Sequence, residues 1–98
     1  MAQVTIVYWR DIPAQVIVGR GRAAAKRPLT ERFEQAIDRA AMGAGLAGTD
    51  DYLAEWRREG PVEVEGEPQA VAEAEAARLE AEYDKDRLKA LISNGGRA

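Results

Sequence analysis

The stretch that most constrains this chain is Val4-Thr-Ile-Val-Tyr-Trp-Arg-Asp-Ile-Pro-Ala-Gln-Val-Ile-Val18, its densest run of β-branched and aromatic side chains. Such residues favour a pleated, half-buried surface. The run divides into two predicted strands, residues 3–9 and 14–19. Asp11 is a good turn former, and Pro13 fixes its own φ and pushes Ile12 towards extended geometry. A connection this short fits a β-hairpin, with the register left open, because a slip of one residue exchanges the faces. On the first strand Val4, Ile6 and Tyr8 alternate with Thr5, Val7 and Trp9. On the second, Val16 and Val18 alternate with Ile17. Neither face is polar. A strand pair that is apolar on both sides needs cover on both sides. A two-layer domain supplies helices to only one, so the spare face is expected to meet a partner or a second copy.

The remaining chain supplies those helices. Residues 19–28 contain two glycines and four cations without an acid, and read as a loop. Thr30 is a fair N-cap for a helix carrying Glu31 and Glu34 in its first turn, where the helix dipole favours them. Phe33, Ala36, Ile37, Ala40, Ala41 and Ala44 form its apolar stripe. Gly43, Gly45 and Gly48 end it. Thr49 is expected to cap a second helix, with Asp50 and Asp51 in its first turn, Tyr52, Leu53 and Trp56 facing inwards, and Gly60 at its end. Pro61 opens a short edge strand over residues 62–65, alternating apolar and acidic. Pro68 suits a first helical turn. One long helix is predicted over residues 69–92, with a narrow stripe of Ala72, Ala76, Leu79, Tyr83 and Ala90, and with Leu88, Leu91 and Ile92 turned to another side. So thin a stripe leaves the first half of that helix projecting or packed on a second copy. Residues 93–98 are expected to fray.

The predicted fold is α+β, in the order β-β-α-α-β-α: the hairpin in a three-stranded, mainly antiparallel sheet, helices packed on one face, and a long C-terminal helix. The 98 residues suit a single domain with its core over about residues 3–65. A chain of this size buries about 60–65% of the surface its unfolded form exposes, enough for one modest core.

Composition excludes much chemistry. The chain has no cysteine and no histidine. Disulfides, thiolate nucleophiles and Cys-based metal sites are therefore out, as are the commonest general base and transition-metal ligand. No catalytic motif is present, and the chain reads as a non-enzyme without a cofactor or metal. No basic, apolar leader opens it, and no apolar run is long enough to span a bilayer, so a cytoplasmic protein is expected. The net charge of −3 is unevenly spread. Residues 1–39 carry seven basic and four acidic side chains, residues 40–98 seven and thirteen. Such asymmetry steers encounter with a partner, while overall acidity argues against general nucleic-acid binding.

Three groups of residues are candidate sites. Tyr8, Trp9, Arg10, Asp11, Ile12 and Pro13 form the hairpin tip, where an aromatic beside a charge pair resembles an interface hot spot. The plainer alternative makes Trp9 core and lets Arg10 and Asp11 satisfy the turn. Arg20, Arg22, Lys26 and Arg27, with Gly19 and Gly21, could cradle a phosphate or another small anion, or bind RNA with Tyr8 or Trp9 stacking. Their spacing matches neither the P-loop nor the dinucleotide fingerprint, and the plainer alternative is a solvated loop. Glu73, Glu75, Glu80, Glu82, Asp84 and Asp86 form a solvated helical face rather than a calcium loop. Asp50 and Asp51 serve the helix, and Glu55-Trp-Arg-Arg-Glu59 reads as surface charge around one buried tryptophan.

Tyr8-Trp-Arg-Asp-Ile-Pro-Ala-Gln-Val16, Thr30-Glu-Arg-Phe33, Ala36-Ile-Asp-Arg-Ala-Ala-Met42 and Asp51-Tyr-Leu-Ala-Glu-Trp56 together resemble a small bacterial domain family labelled "virulence factor". That family occurs as stand-alone proteins of about this length and within the longer staphylococcal conserved virulence factor C. The resemblance covers roughly residues 4–58. It carries no catalytic residues. It implies an accessory or interaction role, and the company such stand-alone members keep, genes of folate- and corrinoid-dependent methyl transfer, implies a one-carbon accessory as the alternative. Ligation of a corrinoid by imidazole is impossible here, so that role would be docking or gating.

Overall fold

A computed structural model describes residues 2–46, 48 and 50–98. The hairpin is the centre of the sheet. Strand β1 (Ala2–Trp9) pairs antiparallel with β2 (Ile12–Val18), in a register that sets Val4 against Val18 and Trp9 against Ile12. Two further strands flank it. β3 (Ala25–Pro28) pairs with β2, and β4 (Trp56–Val64) pairs with β1, giving a four-stranded antiparallel sheet in the order β3-β2-β1-β4. Among the described residues a 3-10 turn (Gly21–Ala23) and four α-helices complete the α+β domain: α1 (Glu31–Gly43), α2 (Asp50–Ala54), α3 (Pro68–Glu82) and α4 (Lys85–Ser93).

The sheet therefore has four strands rather than three, and the chain order differs from the expected β-β-α-α-β-α. Residues 25–28 lie within the expected loop. They form a strand because β2 needs a partner along Gln15–Val18, although they bring no apolar bulk of their own. The second helix stops at Ala54. Residues 56–60, rich in good helix formers, pair instead with β1, since an unpaired central strand would leave a row of backbone groups unmet. β4 is an edge strand, as the alternation at residues 62–65 suggests, but a longer one. The cap expected from Thr49 lies outside the described residues.

The long C-terminal helix is two helices. Tyr83 leaves helical geometry, and the Asp84 carboxylate accepts from the Arg87 N–H at 2.9 Å, capping α4. The Arg32 guanidinium donates to the carbonyls of Glu80 and Tyr83 at the end of α3, and Arg87 donates to that of Glu82. These are the carbonyls a helix end leaves without partners. At the other end of α3 the Glu67 carboxylate accepts from the N–H groups of Gln69 and Ala70. Nor does the first half of this segment project: Val71, Ala72 and Ala76 are buried, and α3 packs across β2 and β3. Val71 is the anchor missing from the narrow stripe. Ala90 and Ala44, expected in stripes, are exposed.

One hydrophobic cluster joins these elements. Val4, Val16 and Val18 on the sheet meet Phe33, Ile37 and Ala40 on α1, Leu79 on α3, and Leu88 and Leu91 on α4. Trp9 and Ile12 belong to it, both wholly buried. α1 and α3 lie on one face of the sheet, and α4 packs on α1. Gly60 marks a break in the β1–β4 register. At φ 109° it lies so close to Val4 that a Cβ would sit 2.6 Å from the Val4 carbonyl oxygen.

Candidate functional site

The hairpin tip is a locked corner rather than a free loop. Arg10 has φ 53°, in the left-handed region. Its N–H donates to the Glu55 carbonyl at 3.2 Å and its Nη1 to the Gly95 carbonyl at 2.8 Å, while Nε lies 3.4 Å from the Glu55 carboxylate, an ion pair without hydrogen-bond geometry. The Asp11 N–H donates to the Gly96 carbonyl at 2.8 Å, and the Asp11 carboxylate accepts from Ala98 N–H at 2.7 Å and from Arg57 at 3.2 Å. Residues 94–98, expected to fray, are thus tied down. Gly96, with φ 89°, is buried against Trp9, where a Cβ would come within 2.7 Å of the indole ring.

These contacts change what the tip can do. Trp9, Ile12 and Pro13 lie in the interior and present no surface to a partner. Trp9 is wholly buried and donates its indole N–H to the Tyr52 carbonyl at 2.9 Å, so stacking of a nucleobase on it is excluded. Arg57 lies over the half-buried Tyr8 ring at 4.6 Å from its centre. Burial, helped by Tyr83 and Glu59, pushes the Tyr8 phenol above its usual range. Arg10 and Asp11 are half-buried and spend their polar groups inside the chain.

The helix-free face of the sheet is the more open surface. Register places Thr5, Ile17 and Lys26 in one row across β1, β2 and β3, and Val7 beside Gln15 and Arg58 in the next. Sequence alternation put Trp9 on this face as well. The structure takes Trp9 into the core beyond a β-bulge at Val7/Tyr8, leaving Val7 and Ile17 as the apolar part of the face. Ile17 is buried but stands outside the main core, among its polar neighbours.

The basic loop folds against this face. Arg20, Arg22, Lys26 and Arg58 surround Thr5 and Ile17 in a shallow depression of about 520 Å³, whose lining includes no carboxylate. Arg20 donates from Nε to Gln3 Oε1 at 2.7 Å. None of these four cations forms an ion pair among the described residues. Arg27 does not join them: its side chain turns to Glu73, 2.9 Å away on α3. Arg58 takes its place, from a segment that sequence reading assigned to a helix. Only the pairing of β4 with β1 brings it there.

The acidic residues of α3 are mostly spent on structure. Glu80 accepts from the Thr30 N–H at 2.7 Å and from its hydroxyl at 2.8 Å, and pairs with Arg32 at 3.0 Å. Thr30 therefore starts α1 under a carboxylate from another helix. Burial works to raise the Glu80 carboxyl, but these donors outweigh it and hold the group below the usual carboxylate range. Glu75 and Glu82 flank Arg78. Among the described residues no group of His, Cys, Asp or Glu could hold a metal ion, and no helix is long and apolar enough to cross a membrane.

Fold and surfaces together define a small α+β domain with helices on one sheet face and a cation-ringed face on the other. A model of the family described as "Virulence factor" matches residues 7–92, most of the chain, and the chain belongs to that family. No curated protein and no solved structure matches it.

Proposed function

We propose that this member of the family is a non-enzymatic accessory module that receives an acidic segment of a partner protein on the helix-free face of its hairpin. The observation that carries this reading is the cluster of Arg20, Arg22, Lys26 and Arg58 around Thr5 and Ile17, with no carboxylate in its lining. Four cations whose charge the fold does not use repel one another, and an acidic partner relieves that repulsion while steering its own approach. Half-buried Val7, with the edge of Ile17 at the floor of the depression, supplies a small apolar centre inside a polar rim, the arrangement common to interfaces. Affinity capture of the tagged protein from its own cells tests this. The expected result is a partner lost in Lys26→Glu/Arg58→Glu and at high salt. Equal capture by that variant contradicts the reading.

A second reading uses the same depression for a small polyanion, a phosphorylated ligand or a folate polyglutamate, as an accessory of one-carbon metabolism would need. Its support is the pair Arg20 and Arg22 beside Gly19 and Gly21, where side chains are few. Titration with nucleotides and folate polyglutamates is expected to show salt-sensitive binding that disappears in Arg20→Ala/Arg22→Ala. Silence from all of them rejects it.

A further inference from the structure

A second cleft, at the other end of the sheet, has the opposite character. It lies between α1, α2 and the ends of β2 and β3, and has a volume of about 290 Å³. Ala14, Pro28, Leu29 and Ile37 make an apolar floor. Tyr52 and Trp56 make an aromatic wall, their rings 6.1 Å apart and nearly perpendicular at 87°. The charged lining is two carboxylates, Glu34 and Asp38, four residues apart on α1 and so side by side on one helical face. Neither is ion-paired among the described residues, and no cation lines the cleft.

We propose that this cleft binds an organic cation, an alkylammonium or guanidinium head on a short apolar stem. The stem lies on the Leu29–Ile37 floor, and the head meets the π faces of Tyr52 and Trp56 opposite the two carboxylates. Aromatic faces attract cations electrostatically, more so as water is displaced. An anion is repelled by Glu34 and Asp38, and a neutral apolar ligand would strip water from them without replacing it. The volume, about 290 Å³, is at the lower limit of ligand clefts and suits one head group.

The wall is built to hold its place. The Trp9 ring lies 5.6 Å behind Tyr52, and its indole N–H is fixed to the Tyr52 carbonyl. Trp56 is 36% exposed and Tyr52 is half-buried, so the wall is open to solvent. The field of the carboxylates reaches the ring: beyond the effect of burial, Asp38 and then Glu34 push the Tyr52 phenol above its usual range. This site is separate from the basic face and stands or falls without it.

Titration of the full-length protein, followed by NMR of the Trp56 indole N–H, tests the site. The probes are n-butylammonium, agmatine and spermidine as free cations, and acetyl-lysine-amide and acetyl-arginine-amide for a side chain carried by a protein. Sodium butyrate is the control. The cations are expected to give a saturable shift of Trp56 and of Glu34 and Asp38, with butyrate silent. Tighter binding of the amino-acid amides marks a protein-borne side chain, and tighter binding of the free amines marks a metabolite; both fit the site. Glu34→Gln/Asp38→Asn, isosteric and at surface positions, is expected to weaken binding about tenfold or more. Trp56→Leu is expected to do the same, read from the shifts of Glu34 and Asp38. Absence of a saturable shift with every cation overturns the proposal. So does unchanged affinity in Glu34→Gln/Asp38→Asn, or an equal response to butyrate.

Discussion

At the scale of single residues, several positions are fixed by what they touch rather than by what they are. Glu80 is half-buried on α3, where it holds the first N–H of the α1 segment and the Thr30 hydroxyl. Because its folded carboxyl titrates below the usual range, the unfolded chain binds its proton first as pH falls. Its contribution is therefore present above the ordinary carboxylate value near 4.5 and is lost as pH falls through the lower folded value. Its exposure limits the size: Glu80→Gln should cost about 1 kcal/mol or less at pH 7. Urea unfolding of both proteins between pH 3 and pH 7 should show the gap close at the acid end. Gly96 is a sharper case. Gly96→Ala forces a methyl group into the Trp9 ring from a backbone that disfavours side chains. A loss of about 1–3 kcal/mol is expected, with the emission of Trp9 shifted to the red. A variant of wild-type stability would show that residues 94–98 do not close over the tryptophan.

Elements show where local sequence speaks and where it is overruled. β1, β2 and α1 were legible because their periods of two and 3.6 are strong, although Thr30 makes no side-chain cap bond and gives its hydroxyl to Glu80 instead. The first half of β4 was not. Residues 54–59 carry helix formers, and only the open edge of β1 makes them a strand. β3 was hidden for the same reason, since its four residues, two adjacent cations between Ala25 and Pro28, carry no strand pattern and gain their order from β2. The split between α3 and α4 had a readable signal in Asp84, a good N-cap inside a run of helix formers, which the continuous periodic pattern obscured. Asp84→Ala should cost about 1 kcal/mol by thermal unfolding, as loss of a cap does, whereas a continuous helix would be indifferent or gain. The basic loop was legible as charge but not as geometry. Arg20, Arg22 and Lys26 line one depression, Arg27 leaves for Glu73, and Arg58 arrives through a strand pairing that no local pattern encodes.

At the scale of the whole molecule, charge is sorted by surface. Among the described residues, the helix-free face gathers cations that form no ion pair, and the cleft beside α2 sets two carboxylates of α1 without ion pairs opposite an aromatic wall. The spare apolar face that the hairpin sequence implies shrinks to half-buried Val7 and buried Ile17, because Trp9 joins the core and the last residues cover the tip. What remains is a basic rim around Val7 and Ile17. Binding there should weaken steeply with salt, since exposed charges are screened beyond about 10 Å at 0.1 M ionic strength. The most direct measurement is photo-crosslinking in the protein's own cells from a benzophenone residue placed at Val7, with the exposed Leu53 as the reference position. The account predicts a discrete crosslinked product from position 7 that vanishes when Lys26 and Arg58 are changed to glutamate. No product from position 7, or one that persists unchanged in that variant, would contradict it.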